Sequence, residues 1–186
     1  MPRFKLNETV ERTSGEKSLA KITREFEIDP LIVVAIVGVE TNYGQKTKEF
    51  SVMNSLYTQA KNMPKRSKWA TKEIAEFLVF CSQNNIDPFS VEGSYAGAFG
   101  YGQFIPSSYN AYAIDGNDDG VRKPYDWSDV FASIGNYLIK NGYPQTDPSN
   151  QEKVYKSVYA YNHADNYVKA VIELRDELET SIIKNQ

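Results

Sequence analysis

Apolar side chains recur every three or four positions along most of the chain, and this spacing predicts helices. Leu19, Ile22 and Phe26 share one face of the first predicted helix, over residues 16–26. Later predicted helices cover residues 52–61, 69–84, 128–141, 153–161 and 166–183. Strand signals are limited to short possibilities in a glycine-rich stretch. The sequence therefore predicts a mainly α fold in a single domain, residues 1–186, with a loose lead-in over residues 1–15.

One further predicted helix is apolar on every side. Asp29 can cap it, Pro30 suits its first position, and Gly44 supplies a stop. Residues 31–39 carry no polar side chain, which predicts a buried helix. Glu40 follows directly, where burial and the negative end of the helix dipole should both raise its pKa, as a general acid requires. The alternative is that Glu40 only marks where the helix leaves the core and meets water.

Glycines are concentrated in residues 93–109, with four of them in ten residues. Such a stretch permits tight turns and close approach of the backbone to a ligand. The glycine spacing matches neither a dinucleotide-binding nor a phosphate-binding loop. A glycine-rich connector explains the composition equally well. Pro106 is expected to begin a short helix that ends near Tyr112.

An acidic loop follows that short helix. Asp115, Asn117 and Asp119 stand at positions 1, 3 and 5 of an EF-hand calcium loop, and Gly120 stands at position 6. Position 12 is Asp126, where an EF-hand carries Glu. Predicted helices lie on both sides. The loop is therefore either a cation site or a surface turn rich in Asp and Gly.

Length and charge narrow the classes of function. A chain of 186 residues is long enough for one well-packed domain. A net charge of −3 argues against a nucleic-acid partner, which would call for a basic patch. Thirteen tyrosines provide flat apolar faces with hydroxyl groups, which suit sugars, interfaces and ordinary packing.

Cysteine and histidine each occur once in the chain, and this excludes further kinds of site. Cys81 is the one cysteine, so no intrachain disulfide forms, and a buried apolar role is expected. His163 is the one histidine, which rules out multi-histidine metal sites; a Ser-His-Asp arrangement lacks the accompanying nucleophile elbow.

Glu73 and Glu76 are expected to be solvated, on the outer face of a helix whose inner face carries Ile74, Phe77, Leu78 and Cys81.

Membrane and export signals are not evident in the sequence. The longest apolar run, residues 31–39, is too short to cross a bilayer. Residues 1–15 are polar and carry neither the hydrophobic region of a signal peptide nor a lipid anchor. We expect a protein without a transmembrane segment that acts as a monomer.

Several of these stretches together resemble the lytic transglycosylase B family. The matching residues are 38–44 (Gly-Val-Glu-Thr-Asn-Tyr-Gly), 94–109 (Ser-Tyr-Ala-Gly-Ala-Phe-Gly-Tyr-Gly-Gln-Phe-Ile-Pro-Ser-Ser-Tyr), the acidic loop, 135–137 (Gly-Asn-Tyr) and 161–162 (Tyr-Asn). They occur in the family's order between about residue 29 and residue 174. The resemblance implies a lysozyme-like helical domain with an EF-hand-like calcium loop. It also implies action on bacterial peptidoglycan in the periplasm or cell envelope.

The resemblance also implies roles for individual residues. Glu40 is expected to be the single catalytic acid and base. The expected substrate contacts are Ser94, Gln103, Tyr137, Tyr161 and Asn162. The expected ligands of a structural Ca²⁺ are Asp115, Asn117, Asp119, the carbonyl of Val121, and Asp129, which closes the loop in place of Asp126. No organic cofactor is expected.

The implied reaction cleaves the β-1,4 bond between N-acetylmuramic acid and N-acetylglucosamine and forms a 1,6-anhydro ring. Two alternatives stay open: a hydrolytic muramidase on the same fold, and a non-catalytic glycan-binding module, which the presence of Glu40 disfavours. The chain also differs from larger family members. Asn42 stands where Arg is expected, the connection between Tyr137 and Tyr161 is short, and we expect the chain to lack the N-terminal portion of the larger enzymes. These differences bear on cleft length and affinity.

Overall fold

The computed structural model describes residues 10–46, 50–147 and 149–184, and over these residues the fold is mainly helical, as predicted. The elements in chain order are α1 (Val10–Phe26), α2 (Pro30–Thr41), β1 (Phe50–Ser51), α3 (Val52–Asn62), α4 (Pro64–Gln83), β2 (Glu92–Gly93), α5 (Pro106–Tyr112), α6 (Trp127–Lys140), α7 (Gln151–Tyr161) and α8 (Asp165–Ile183). Among the described helices, none combines the length and the apolar composition that crossing a bilayer requires.

Helix α2 lies at the centre of this arrangement and packs against α1, α6 and α8. Asp29 caps it by accepting a hydrogen bond from the Leu31 N–H at 2.9 Å, and Pro30 is its first residue. Val33, Ala35 and Ile36 have no exposed surface. The prediction of a buried helix that begins at Asp29 and Pro30 is therefore confirmed.

The glycine-rich stretch folds against β1 as a pair of tight turns. Strands β1 and β2 form a short antiparallel pair, with Phe50 opposite Gly93. Phe99, which has no exposed surface, bridges to both Gly93 and Phe104. A Cβ atom on Gly93 would lie 2.1 Å from the Ala98 carbonyl oxygen, so only glycine fits there. The stretch is thus a compact structural unit.

Several predicted helix limits need correction. Helix α1 begins at Val10, inside the expected lead-in, of which residues 1–9 lie outside the described part of the chain. Helix α4 begins at Pro64 rather than at residue 69, because proline starts a helix readily. Leu78, expected inside, is 42% exposed, and Phe80 is buried instead.

The expectation that Glu73 is solvated is wrong. Glu73 is 2% exposed, and its carboxylate accepts hydrogen bonds from the Ser107 N–H at 2.9 Å and the Ser107 hydroxyl at 2.8 Å. It therefore supplies the cap that Ile105, at the start of α5, lacks. Glu76, expected to be solvated as well, is partly buried and accepts a hydrogen bond from the Asn110 side chain at 2.9 Å. Both acids connect α4 to α5 through hydrogen bonds.

Candidate active site

Glu40 lies in the last turn of α2 and is partly buried. Burial raises the pKa of its carboxyl from 4.5 to about 7, which confirms the rise expected from the sequence and gives burial as its main cause. Within the described chain, no second carboxylate contributes to this shift. Near neutral pH, Glu40 is therefore divided between its protonated and ionised forms.

The backbone directly after Glu40 makes an unusual turn. Helix α2 ends at Thr41, and Asn42, Tyr43 and Gly44 follow with φ angles of 48°, 57° and 78°. Asparagine tolerates this left-handed conformation, but tyrosine adopts it at an energetic cost. The Thr41 hydroxyl accepts the Gly44 N–H at 3.0 Å and lies 3.2 Å from the Tyr101 carbonyl oxygen. These contacts hold the end of α2 against the glycine-rich stretch.

Aromatic rings from three helices pack together beside Glu40. We call this group the tyrosine floor; its members are Tyr137 on α6, Tyr161 on α7, Tyr167 on α8, and Phe104. The Tyr161 ring centroid lies 4.8 Å from that of Tyr137 and 5.4 Å from that of Phe104. Burial and the neighbouring Glu40 raise the pKa of the Tyr161 hydroxyl, so it keeps its proton.

Two hydroxyls of the floor are already used as donors. Tyr161 donates to the Gly102 carbonyl oxygen at 2.5 Å, and Tyr137 donates to the Ala160 carbonyl oxygen at 2.7 Å. These bonds fix both rings, and they connect the floor to the glycine-rich stretch and to α7. The rings therefore offer a substrate their faces and the free lone pairs of their oxygens.

Tyr167 was not identified from the sequence, yet its hydroxyl faces the Glu40 carboxyl. Because it stabilises the carboxylate, it lowers the pKa of Glu40 and partly offsets the effect of burial. The geometry falls short of a full hydrogen bond: in the described residues the buried Tyr167 oxygen has no partner. In the sequence, Tyr167 is distinguished only by its position in the helix that carries Val168 and Val171. That position predicts packing in the core rather than a part in catalysis.

The other three predicted substrate residues lie on loops, and none hydrogen-bonds to Glu40 in the described structure. The Ser94 hydroxyl accepts the Ala98 N–H at 3.1 Å. The Gln103 side chain donates to the Gly100 carbonyl oxygen at 2.8 Å, and Gln103 directly follows Gly102, the partner of Tyr161. Asn162 is exposed at the end of α7. The structure thus groups Tyr137 and Tyr161 with Glu40 and places the other three on neighbouring loops.

The acidic loop directs its side-chain oxygens at its own backbone. Asp115 accepts the Asp119 N–H at 3.1 Å and the Gly120 N–H at 2.6 Å, and Asn117 also accepts the Asp119 N–H at 3.1 Å. Asp129, 1% exposed, accepts the Gly116 N–H at 2.8 Å and the Lys123 N–H at 2.7 Å. Asp129 therefore ties together the two ends of the loop.

The oxygen donors of this loop suit calcium better than a softer metal. The geometry is less favourable, because no cluster of three or more acidic, histidine or cysteine side chains arranged for a metal occurs in the described chain. The Lys123 ammonium forms an ion pair with Asp119 at 2.5 Å and lowers the pKa of that carboxyl. Asp126, at position 12, caps α6 through the Ser128 N–H at 2.9 Å. Lys123 therefore balances part of the negative charge of this loop.

Comparison with known proteins identifies a matching family and similar proteins. A profile of the Transglycosylase SLT domain family matches residues 10–154. The membrane-bound lytic murein transglycosylase B of Escherichia coli (strain K12) is 36% identical over 132 residues, which are 71% of this chain and 37% of that protein. The chain thus spans little more than a third of this curated relative.

Solved structures show the same fold. The E. coli lytic transglycosylase SLT35, in complexes with bulgecin A and with calcium, superposes with a TM-score of 0.86 at 24% identity, covering 94% of this chain and 73% of that one. The soluble lytic transglycosylase SltB1 of Pseudomonas aeruginosa gives a TM-score of 0.83 at 25% identity, covering 93% and 80%. The lysozyme-like fold is therefore confirmed. Because the family profile covers more than three quarters of its length, the chain belongs to the Transglycosylase SLT domain family.

Proposed function

We propose that this chain is a peptidoglycan lytic transglycosylase in which Glu40 acts first as acid and then as base. The observation that carries the proposal is a single carboxyl, with a pKa of about 7, beside a floor of tyrosines. A group divided between two protonation states at neutral pH can give and take a proton in one catalytic cycle. Family membership and the named activity of the E. coli relative support the same reaction.

The first step is proton donation. Protonated Glu40 gives its proton to the oxygen that links C1 of N-acetylmuramic acid to N-acetylglucosamine, and the C1–O bond breaks. Positive charge develops at C1, and the 2-acetamido group of the same sugar stabilises it. This is the substrate-assisted exception to the use of two carboxylates. It agrees with the single acid found at the site.

The second step uses the same residue as a base. Ionised Glu40 takes the proton from the C6 hydroxyl of the muramoyl sugar, whose oxygen bonds to C1 and closes the 1,6-anhydro ring. Glu40 regains its proton, so no water is consumed. The Tyr167 hydroxyl faces the carboxyl and stabilises its ionised form during this step.

Substrate binding is assigned to the floor and its neighbouring loops. Tyr137 and Tyr161 present rings that are fixed by hydrogen bonds to backbone carbonyls, which suits stacking against sugar faces. Ser94 and Asn162 are proposed to hold the acetamido group, and Gln103 to contact the sugar beside Tyr161. The Gln103 side chain must then exchange its bond to Gly100 for a bond to substrate.

Product analysis tests this reaction directly. Purified peptidoglycan is digested, and the muropeptides are separated and weighed by mass spectrometry. Ring closure predicts products that end in 1,6-anhydromuramic acid and weigh one water less than hydrolysis products. Reducing ends as the main product would identify a hydrolytic muramidase, with Glu40 kept as its acid. Binding without any product would identify a glycan-binding module.

A structural calcium site in the acidic loop is a second proposal. The proposed ligands are the side chains of Asp115, Asn117, Asp119 and Asp129 and the carbonyl of Val121. The oxygen donors support it, as does the calcium complex of the structural relative SLT35. Since Lys123 pairs with Asp119 and backbone N–H groups engage Asp129, binding must displace some of these partners, and we expect modest affinity.

The place of action is proposed to be the cell envelope. The E. coli relative is named as membrane-bound, and peptidoglycan itself lies in the envelope. Fractionation of cells that express the protein in its natural context, followed by detection in envelope fractions, tests this. Recovery of the active protein only with cytoplasmic markers would contradict it.

A further inference from the structure

A strongly basic surface lies at the corner between α3 and α4. Residues 61–72 include five basic side chains and no acidic one, whereas the whole chain holds 21 basic and 24 acidic residues. We call these five residues the cationic corner: Lys61, Lys65, Arg66, Lys68 and Lys72. Four of them are exposed and Arg66 is partly buried. None forms an ion pair with another residue that the structure describes.

Helix stability explains only Lys61, which lies in the last turn of α3, where a cation is favoured; it does not explain the cations at the start of α4. Helix α4 starts at Pro64, its capping residue Met63 offers no side-chain hydrogen bond, and its first turn contains no acid. The first turn of a helix carries partial positive charge, so cations there are repelled. Lys65 and Arg66, in this first turn, therefore oppose the dipole of their own helix. An anion at the corner would relieve that repulsion.

The corner lies beside the proposed glycan site. The Met63 sulfur, between α3 and α4, is 3.5 Å from the Tyr95 hydroxyl oxygen. Gln59, one turn earlier on α3, donates to the Tyr95 carbonyl oxygen at 3.0 Å. Tyr95 directly follows Ser94, to which we assign the acetamido group of the substrate. A sugar held at Ser94 therefore lies next to the helix corner that carries the five cations.

We propose that the cationic corner binds the carboxylates of the peptide stems on the same glycan strand. This inference rests on the proposed function, because it takes a muramoyl sugar to be bound near Ser94. An extended stem spans about 3.3–3.6 Å per residue, so four or five residues reach roughly 13–18 Å from their sugar. The contacts of Tyr95 with Met63 and Gln59 hold residue 95 against the junction of α3 and α4, so a stem on a sugar at Ser94 starts beside the corner.

Charge and geometry both favour a carboxylate at this surface. The chain carries a net charge of −3, so an anionic polymer gains local attraction mainly where cations are concentrated. The Arg66 guanidinium lies 4.3 Å from the centre of the Trp69 ring. Stacking on the ring limits its motion while leaving planar N–H groups that suit bidentate binding of a carboxylate.

The affinity of the protein for glycan strands, measured with and without their peptide stems, tests the proposal. The Glu40→Gln variant is used so that the strands stay intact, and dissociation constants are measured by fluorescence anisotropy on soluble glycan strands, either stem-bearing or stripped of stems by an amidase. The triple change Lys65→Gln, Lys68→Gln and Lys72→Gln is added. It should weaken binding of stem-bearing strands about 10-fold and leave stem-free strands unaffected. The melting temperature should not fall, because the three side chains are exposed, form no ion pair with a described residue, and include Lys65, which opposes the α4 dipole.

A matched control carries Lys140→Gln, Lys153→Gln and Lys184→Gln, which remove the same charge from exposed positions elsewhere; it should bind both strands normally. Equal weakening on both strands, or none on stem-bearing strands, would overturn the proposal. Tighter binding of a phosphodiester wall polymer than of stem-bearing strands would also overturn it. If the wild type cleaves no peptidoglycan but the binding pattern holds, the proposed reaction fails and the stem site stands.

Discussion

Glu40, which is partly buried, and Asp129, which is buried, are both acids at helix ends, but their surroundings differ. Burial raises the pKa of each. At Asp129, N–H groups of Gly116 and Lys123 stabilise the carboxylate and oppose that rise. At Glu40 the one opposing group among the described residues is the Tyr167 hydroxyl, and the pKa reaches about 7. The hydrogen-bond donors that stabilise each carboxylate therefore decide its role: Asp129 stabilises the loop, and Glu40 exchanges protons.

The same contrast appears in the nearby cations. Lys123 pairs with Asp119, and Lys21 pairs with Asp118 at 2.7 Å, so the acidic loop is partly neutralised by lysines. Around Glu40 the neighbouring groups are tyrosines, which stay neutral because burial raises the pKa of their hydroxyls. An acid among neutral groups keeps the ability to give up and regain a proton. An acid paired with lysine stays ionised.

The largest expected effect is on catalysis. Glu40→Gln keeps the shape of the side chain and removes its titratable proton, so both proton transfers fail. Turnover of peptidoglycan should fall by about 10²–10⁴-fold or more, as measured by release of soluble muropeptides. The control is Asp129→Asn, which alters a buried acid outside the proposed proton transfers and should keep far more activity. Near-normal turnover of Glu40→Gln would show that the catalytic acid lies elsewhere.

The next expected effect is on stability. The pKa of Glu40 is 4.5 unfolded and about 7 folded, so between these values the folded protein binds more protons than the unfolded one. The wild-type free energy of unfolding therefore loses up to about 3 kcal/mol as pH rises from 4.5 past 7. Gln cannot titrate, so Glu40→Gln should gain stability over the wild type across that range. Urea unfolding at pH 4.5 and pH 8 measures this difference.

Asp129→Asn should act in the opposite direction. The amide side chain keeps one acceptor oxygen, so one of the two N–H partners of Asp129 loses its hydrogen bond in a buried position. We expect a cost of about 1–3 kcal/mol, with the largest cost where the wild-type carboxyl is ionised. If both variants changed the free energy of unfolding in the same direction at pH 8, stabilisation of the carboxylate by hydrogen-bond donors would not distinguish Glu40 from Asp129.

Features fixed by neighbouring residues in the sequence were predictable. The start of α2 follows from Asp29 and Pro30 side by side, and its burial follows from nine apolar residues in a row. Its end was placed less accurately, since the chain leaves the helix at Thr41, before Gly44. Asn42 there adopts a left-handed conformation that few residues other than glycine accept.

Features made by distant residues were not predictable from local pattern. Glu73 looked like an outer-face charge because its partner, Ser107, is 34 positions away. Tyr167 reaches Glu40 only because α8 packs against α2. The acids of the 115–129 loop had EF-hand spacing, but spacing does not show which N–H groups and lysines already bind them. The family resemblance identified Tyr137 and Tyr161 beside Glu40, which periodicity alone would have assigned to the core.

The smallest expected effect concerns calcium in the acidic loop. If calcium and the Lys123 ammonium compete for Asp119, calcium should raise the wild-type melting temperature above its value in chelator, by about 2–4 °C for each kcal/mol of binding. Magnesium should do less, because it demands stricter geometry than this loop offers. Lys123→Met removes the competing cation, so the calcium-dependent shift should grow. Asp119→Ala removes a proposed ligand and should abolish it. An unchanged melting temperature in both the wild type and Lys123→Met would mean that lysines and backbone N–H groups stabilise the carboxylates of this loop without calcium. The contrast with Glu40 would then rest on those partners alone.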